Sequence, residues 1–170
     1  MVKVNKDVVT TLNNLIHICK DGELGYKKAA EKDREGSLRN LFRQYSDQRS
    51  MFVAELRNQV SRLGGKPEEA GTAAGAAHRG WFEAKSALTG ADEGAIVSEC
   101  ERGEDTAVRS YRDALKKELP FDVRGLVENQ FQKVKEAHDR MRSLELANKQ
   151  KTSVMQDVDD IGGETEGAPD

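Results

Sequence analysis

Cys19-Lys20-Asp21-Gly22-Glu23 recurs 81 residues later as Cys100-Glu101-Arg102-Gly103-Glu104. Both copies lie inside long runs of helical periodicity. The four-residue spacing puts Cys and Glu on one helix face. Leu12, Leu15 and Ile16 precede the first copy on that face, and Ile96 and Val97 precede the second. Each copy therefore sets a carboxylate into an apolar stripe, where an unpaired charge is costly. The duplication predicts two similar helical halves, each turning one carboxylate, Glu23 or Glu104, toward a shared interior.

Outward from the first copy, Val8, Leu12, Leu15, Ile16, Cys19, Glu23, Tyr26 and Ala30 keep a three-four rhythm. This predicts an amphipathic helix over 7–34, capped by Asn5 or Asp7. Gly36 suits a left-handed C-terminal cap and Ser37 the next N-cap. A second helix follows from Leu38 to Leu63, ended by Gly64-Gly65 and Pro67. So short a connection predicts an antiparallel hairpin.

Residues 64–91 change character, with six Gly in an Ala-rich run. Within them Thr72 suits the cap of a short helix carrying Ala76, Ala77, Trp81 and Leu88. The expectation is a long crossover with one short helix, and a Trp81 ring packed against one end of the bundle. Asp92 then caps a third helix whose inner face carries Ile96, Val97, Cys100, Glu104, Ala107, Tyr111 and Leu115. Leu119-Pro120 stops it, and Asp122 caps a fourth. That helix shows Val123, Leu126, Val127, Gln130, Phe131, Val134, His138, Met141 and Leu144, and fades near 148.

The fold class is therefore all-α: two helical hairpins joined by a long crossover into a four-helix bundle. Helices of about 25 residues run roughly 37 Å and enclose one continuous core. Hydrophobic residues are 36% and charged residues 34% of the chain, a balance that suits amphipathic helices with solvated outer faces. Aromatics at 5% and three Pro argue against a sandwich or barrel. One domain spans 1–150. Residues 151–170 hold one Lys against six Asp and Glu, a net −5, and are expected to be a disordered acidic tail. With a total of −3, residues 1–150 then carry +2, which is no basic field for nucleic acid. No apolar run approaches the ~20 residues that span a bilayer, and no leader pattern opens the chain. Two Cys make no disulfide framework, so reduced thiols and a cytoplasmic setting are expected.

The polar residues on the inner stripes are Glu23, Arg49, Glu104, Gln130 and His138. Two readings of the carboxylates stay open. They are neutralised by Arg49 or protonated, or they hold iron or manganese together with His138. A di-iron bundle takes one Glu from each of two helices and a Glu-x-x-His pair from each of the other two. Helices one and three supply the single Glu residues, but helices two and four contain no Glu-x-x-His. His138 alone reads as a hydrogen-bonded core imidazole or as a ligand. Cys19 and Cys100 read as small apolar filler, since neighbouring carboxylates oppose a reactive thiolate. The repeated mid-helix Gly22 and Gly103 suggest close helix approach at the level of the Glu, or a local distortion.

Asp21-Gly22-Glu23, His78-Arg79-Gly80-Trp81, and Glu101-Arg102-Gly103-Glu104-Asp105 with Tyr111 together resemble an uncharacterised bacterial family of ferritin-like four-helix bundles carrying a domain of unknown function. The resemblance covers about residues 5–147. It implies the ferritin-like fold and a bacterial source, and no reaction. The resulting expectation is a non-enzymatic bundle with no catalytic residue and no cofactor. It acts through contacts with a protein partner, in a stress role, and self-associates as a dimer. The rival expectation is a metal-binding protein or metal-dependent oxidoreductase using Glu23, Glu104 and His138 with iron or manganese. A thiol sensor through Cys19 and Cys100 is the third.

Overall fold

The computed structural model describes residues 6–80 and 92–161, with side chains up to residue 156. Four long helices carry the fold: α1 (Lys6–Lys32), α2 (Arg39–Arg62), α3 (Glu93–Leu115) and α4 (Phe121–Ile161). Among the described residues there is no strand. Cys19 meets Tyr111 and Tyr26 meets Glu104, so α1 and α3 run antiparallel. Tyr111 meets Gln130 and Asp105 meets His138, so α3 and α4 form the second hairpin. Backbones of α2 and α4 stand further apart. Long side chains bridge them, with Gln130 Nε2 donating to Glu55 Oε2 at 2.7 Å.

The breaks follow the local chemistry. Gly36 and Gly64 both have positive φ, the left-handed conformation that ends a helix at little cost to glycine. Asp92 caps α3 by accepting from the Ala95 backbone N–H at 2.7 Å. Ser37 does not cap α2. The buried Asp33 carboxylate fastens the turn that leads into α2, accepting from the backbone N–H of Gly36 and of Leu38, both at 3.0 Å. Ser37 turns instead to Glu93. Asp122 lies within the first turn of α4, because the helix already begins at Phe121.

The crossover returns along α1. Residues 73–80 are helical, and Thr72 caps them through its Oγ1, which accepts from Gly75 N–H at 2.8 Å. Trp81, Leu88 and Asn5 lie outside the described residues, as does everything after 161.

The core has two apolar clusters. One gathers Leu12, Leu15, Phe52, Leu56, Val127 and Val134. The other gathers Tyr26, Phe42, Ile96, Val97 and Met141. On every helix the switch between them falls at the level of Glu104 and Arg49, so a polar layer divides the core.

One boundary differs from the expected one. α4 does not fade near 148 but continues to Ile161. Gly94, at the start of α3, lies beside Asn148, so the rest of α4 runs past the end of its hairpin partner. Residues 151–156 are all exposed. Among the described residues, its apolar side chains Val154 and Met155 stay exposed. No described helix is long and apolar enough to cross a membrane.

Candidate functional site

The polar layer is built from residues on three facing helices: Tyr26 on α1, Arg49 on α2 and Glu104 on α3. Arg49 and Glu104 are both 2% exposed. Arg49 Nη2 donates to Glu104 Oε1 at 2.6 Å and Oε2 at 2.7 Å, and Nη1 donates to Gln48 Oε1 at 2.6 Å. Tyr26 Oη, from α1, donates to Glu104 Oε1 at 2.6 Å. Donors from two helices, α1 and α2, thus satisfy one buried carboxylate on α3. Charge-assisted bonds of this kind are short and strong. The guanidinium also lies 5.5 Å from the Phe52 ring centroid, within cation–π range. Beside Glu104, the Arg49 pKa is raised even against burial, so its positive charge is fixed.

A second polar chain adjoins it. Tyr111 gives its proton to Gln130 Oε1 at 2.7 Å, so Cys19 Sγ, 3.0 Å away, donates to the Tyr111 oxygen. Gln130 Nε2 passes the chain on to Glu55. Cys19, Tyr111, Gln130 and Glu55 come from α1, α3, α4 and α2, so this one chain ties all four helices. Burial pushes the Cys19 thiol up to about 11, and raises Cys100, Tyr26 and Tyr111 as well.

Glu23 departs from the expected inward pair. It lies at the rim, its carboxylate 2.7 Å from Lys20 Nζ, with the side chain 21% exposed. Glu104 has a buried guanidinium to offset its charge, whereas Glu23 has only the partly exposed Lys20 ammonium at the rim. Gln130, 81 residues after Arg49, is bonded instead to Tyr111 and Glu55. One Glu of the pair is therefore buried and the other is not. Glu23, Glu104 and His138 do not form one site.

His138 lies on the groove between α3 and α4. Its Nε2 is 3.0 Å from Asp105 Oδ1 and 3.8 Å from Glu101 Oε1, and its Nδ1 is 3.1 Å from Asp139 Oδ1. Burial lowers its pKa, but hydrogen bonds to Asp139 and Asp105 outweigh that and raise it. The ligating atoms of Glu101, Asp105 and His138 all lie within 4.8 Å of one another. Glu101 and Asp105 are four apart, hence on one face. The sequence carried that signal, but the apolar stripe pointed to Glu104 instead.

A cavity of about 310 Å³ opens between α1 and α3 beside Glu104, with Tyr26, Cys100, Gly22, Gly25 and Gly103 in its walls. The glycines do not bring the helices into contact. A Cβ at Gly103 or Gly25 would meet nothing within 4 Å, while one at Gly22 would come 3.2 Å from Arg49 Cγ. Gly22 makes room for the arginine, and Gly103 leaves the cavity open.

A polar ladder on α1 holds the crossover beside this cavity. Asn13 donates to Lys66 O and accepts from Glu68 N–H, and His17 Nδ1 donates to Ala70 O at 2.6 Å. Asp21 accepts from the Thr72 hydroxyl at 2.6 Å and from Arg79 at 2.8 Å. A Cβ at Gly71 or Gly75 would overlap the Asp21 carboxylate.

The bundle is similar to a solved structure described as ferritin-like, diiron-carboxylate proteins from Bacillus anthracis str. Ames. The likeness has a TM-score of 0.64 at 13% identity and covers 85% of this chain and 99% of that one. The fold is thus ferritin-like. None of the curated proteins matches the chain. A family model matches residues 7–117, which include α1, α2 and α3 with the polar layer between them, and the chain belongs to that family, described as Domain of unknown function (DUF2383).

Proposed function

We propose that this protein uses the ferritin-like frame without a metal pair at its centre, is not an enzyme, and acts through protein contacts. The observation that supports this is the Arg49–Glu104 pair. A dinuclear centre brings its own positive charge to neutralise inward carboxylates, and here a guanidinium fixed on α2 supplies it. Both Glu104 oxygens are taken. Gln130 is engaged by Tyr111 and Glu55, and Glu23 is turned to Lys20, so the donor set does not fit two metal ions. A cation entering at Glu104 would strand Arg49 in a buried site, a penalty of several kcal/mol.

The contact reading draws on α4. Past Asn148 the helix extends by about 20 Å at 1.5 Å per residue and exposes Val154 (62%) and Met155 (69%). Such side chains, exposed among the described residues, suit a second copy of the chain. A bacterial cytoplasmic setting and a stress role belong to the same reading.

Protein made in iron- and manganese-supplemented medium tests the centre. Elemental analysis is expected to show no metal that depends on Glu104, and ferrous iron is expected to oxidise no faster than in buffer. Stoichiometric metal that disappears in Glu104→Gln would overturn the reading.

A further inference from the structure

We propose that Glu101, Asp105 and His138 bind one first-row divalent metal cation in the groove between α3 and α4, apart from the bundle centre. One imidazole nitrogen and two carboxylate oxygens lie within 4.8 Å of one another. They come from two turns of α3 and one position of α4, so helix packing holds them in register. First-row cations sit about 2.0–2.2 Å from such ligands, and small rotamer changes close the group to that distance. The set leaves further coordination positions to water.

Asp139 is the independent observation that favours a cation here. It holds Nδ1 of His138 at 3.1 Å, while Nε2 faces Asp105 and Glu101. Every one of these partners is an acceptor, so an imidazolium satisfies them by donating from both nitrogens. When Nε2 gives up its proton, its lone pair faces the carboxylate oxygens, and a metal cation takes the proton's place between them while Asp139 holds the proton on Nδ1. A carboxylate behind a histidine is also the arrangement that orients metal-ligating imidazoles. The group is partly shielded rather than loose on the surface, with the side chains of His138 and Glu101 14% and 16% exposed. Asp105, 47% exposed, forms the open side. Nitrogen and carboxylate ligands suit zinc over manganese by the general affinity order.

The site is separate from the centre on which the proposed function rests, so the two can fail independently. The full-length chain, freed of metal by chelator dialysis, is titrated with ZnCl2 and then MnCl2 by calorimetry. The expected result is one zinc per chain with manganese held more weakly. His138→Gln and Asp105→Asn each weaken zinc at least tenfold, Asp139→Asn weakens it by about tenfold, and Glu104→Gln leaves it unchanged. Circular dichroism confirms that each variant is folded, which the groove positions permit, and the core variant Glu104→Gln is read only from protein shown in this way to be folded. Less than one zinc per chain, or equal affinity in His138→Gln and Asp105→Asn, would overturn the proposal. The second outcome would place zinc at another histidine, such as His17 beside Glu68 or His78 beside Glu99.

Discussion

At the residue scale, charge decides what the core accepts. Glu104 is buried because Arg49 and Tyr26 reach it, whereas its repeat mate Glu23 stays at the rim beside the partly exposed Lys20. The same desolvation governs the thiols. Cys19 has its pKa pushed from its ordinary value near 9 to about 11, chiefly by burial. A thiol that is harder to ionise in the folded state supports folding below pH about 9. That support is lost as pH rises toward 11. Stability is therefore expected to fall over that window, with a shallower fall in Cys19→Ala, as read by urea midpoints at pH 8, 9 and 10. In the folded protein at pH 8, Ellman's reagent is expected to label neither Cys19 nor Cys100 within the time that labels both in urea. Rapid native labelling would restore the thiol-sensor reading.

At the element scale, two glycine positions give opposite predictions. Gly103 sits mid-helix facing open space, so Gly103→Ala is expected to stabilise by up to about 1 kcal/mol as the cavity wall gains a methyl. Gly75→Ala meets the Asp21 carboxylate and is expected to free the crossover from α1, lowering the thermal midpoint and hastening proteolysis within 64–80. Asp21→Ala is expected to give the same proteolytic pattern. The helices themselves were legible in the sequence. Apolar periodicity and the breaks at Gly36, Gly64-Gly65 and Pro120 located α1, α2 and α3 to within a few residues. The α1 ladder of Asn13, His17 and Asp21 was not legible, because its partners are mostly backbone groups of a loop and carry no side-chain signature. The end of α4 was missed for the converse reason. Apolar periodicity reports packing against a core, and a helix that extends past its core loses that rhythm while remaining a helix.

At the scale of the whole molecule, α4 and the polar layer have different consequences. The exposed Val154 and Met155 make the α4 extension the expected contact between copies. The double variant Val154→Glu, Met155→Glu is expected to reduce the mass measured by light scattering to that of one chain. An unchanged mass would move the interface elsewhere. The Arg49–Glu104 pair ties α2 to α3 through the middle of the core, and its members are conditional on each other. Either one alone is a buried charge without a partner, which costs about 3–5 kcal/mol. An apolar pair of similar volume removes both penalties at once. The fold-level kinship was legible, but the tie was only half so. Arg49 was visible as the candidate neutraliser of two carboxylates, whereas its choice of Glu104 depends on helix packing that no local pattern encodes.

A double-mutant cycle on global unfolding, with Arg49→Met, Glu104→Leu and both together, tests the self-neutralised centre most directly. Each single variant is expected to lose about 3–5 kcal/mol, and the double variant to recover most of it. Losses that simply add would mean that the two residues do not depend on each other, and would contradict an arginine standing in for the metal pair.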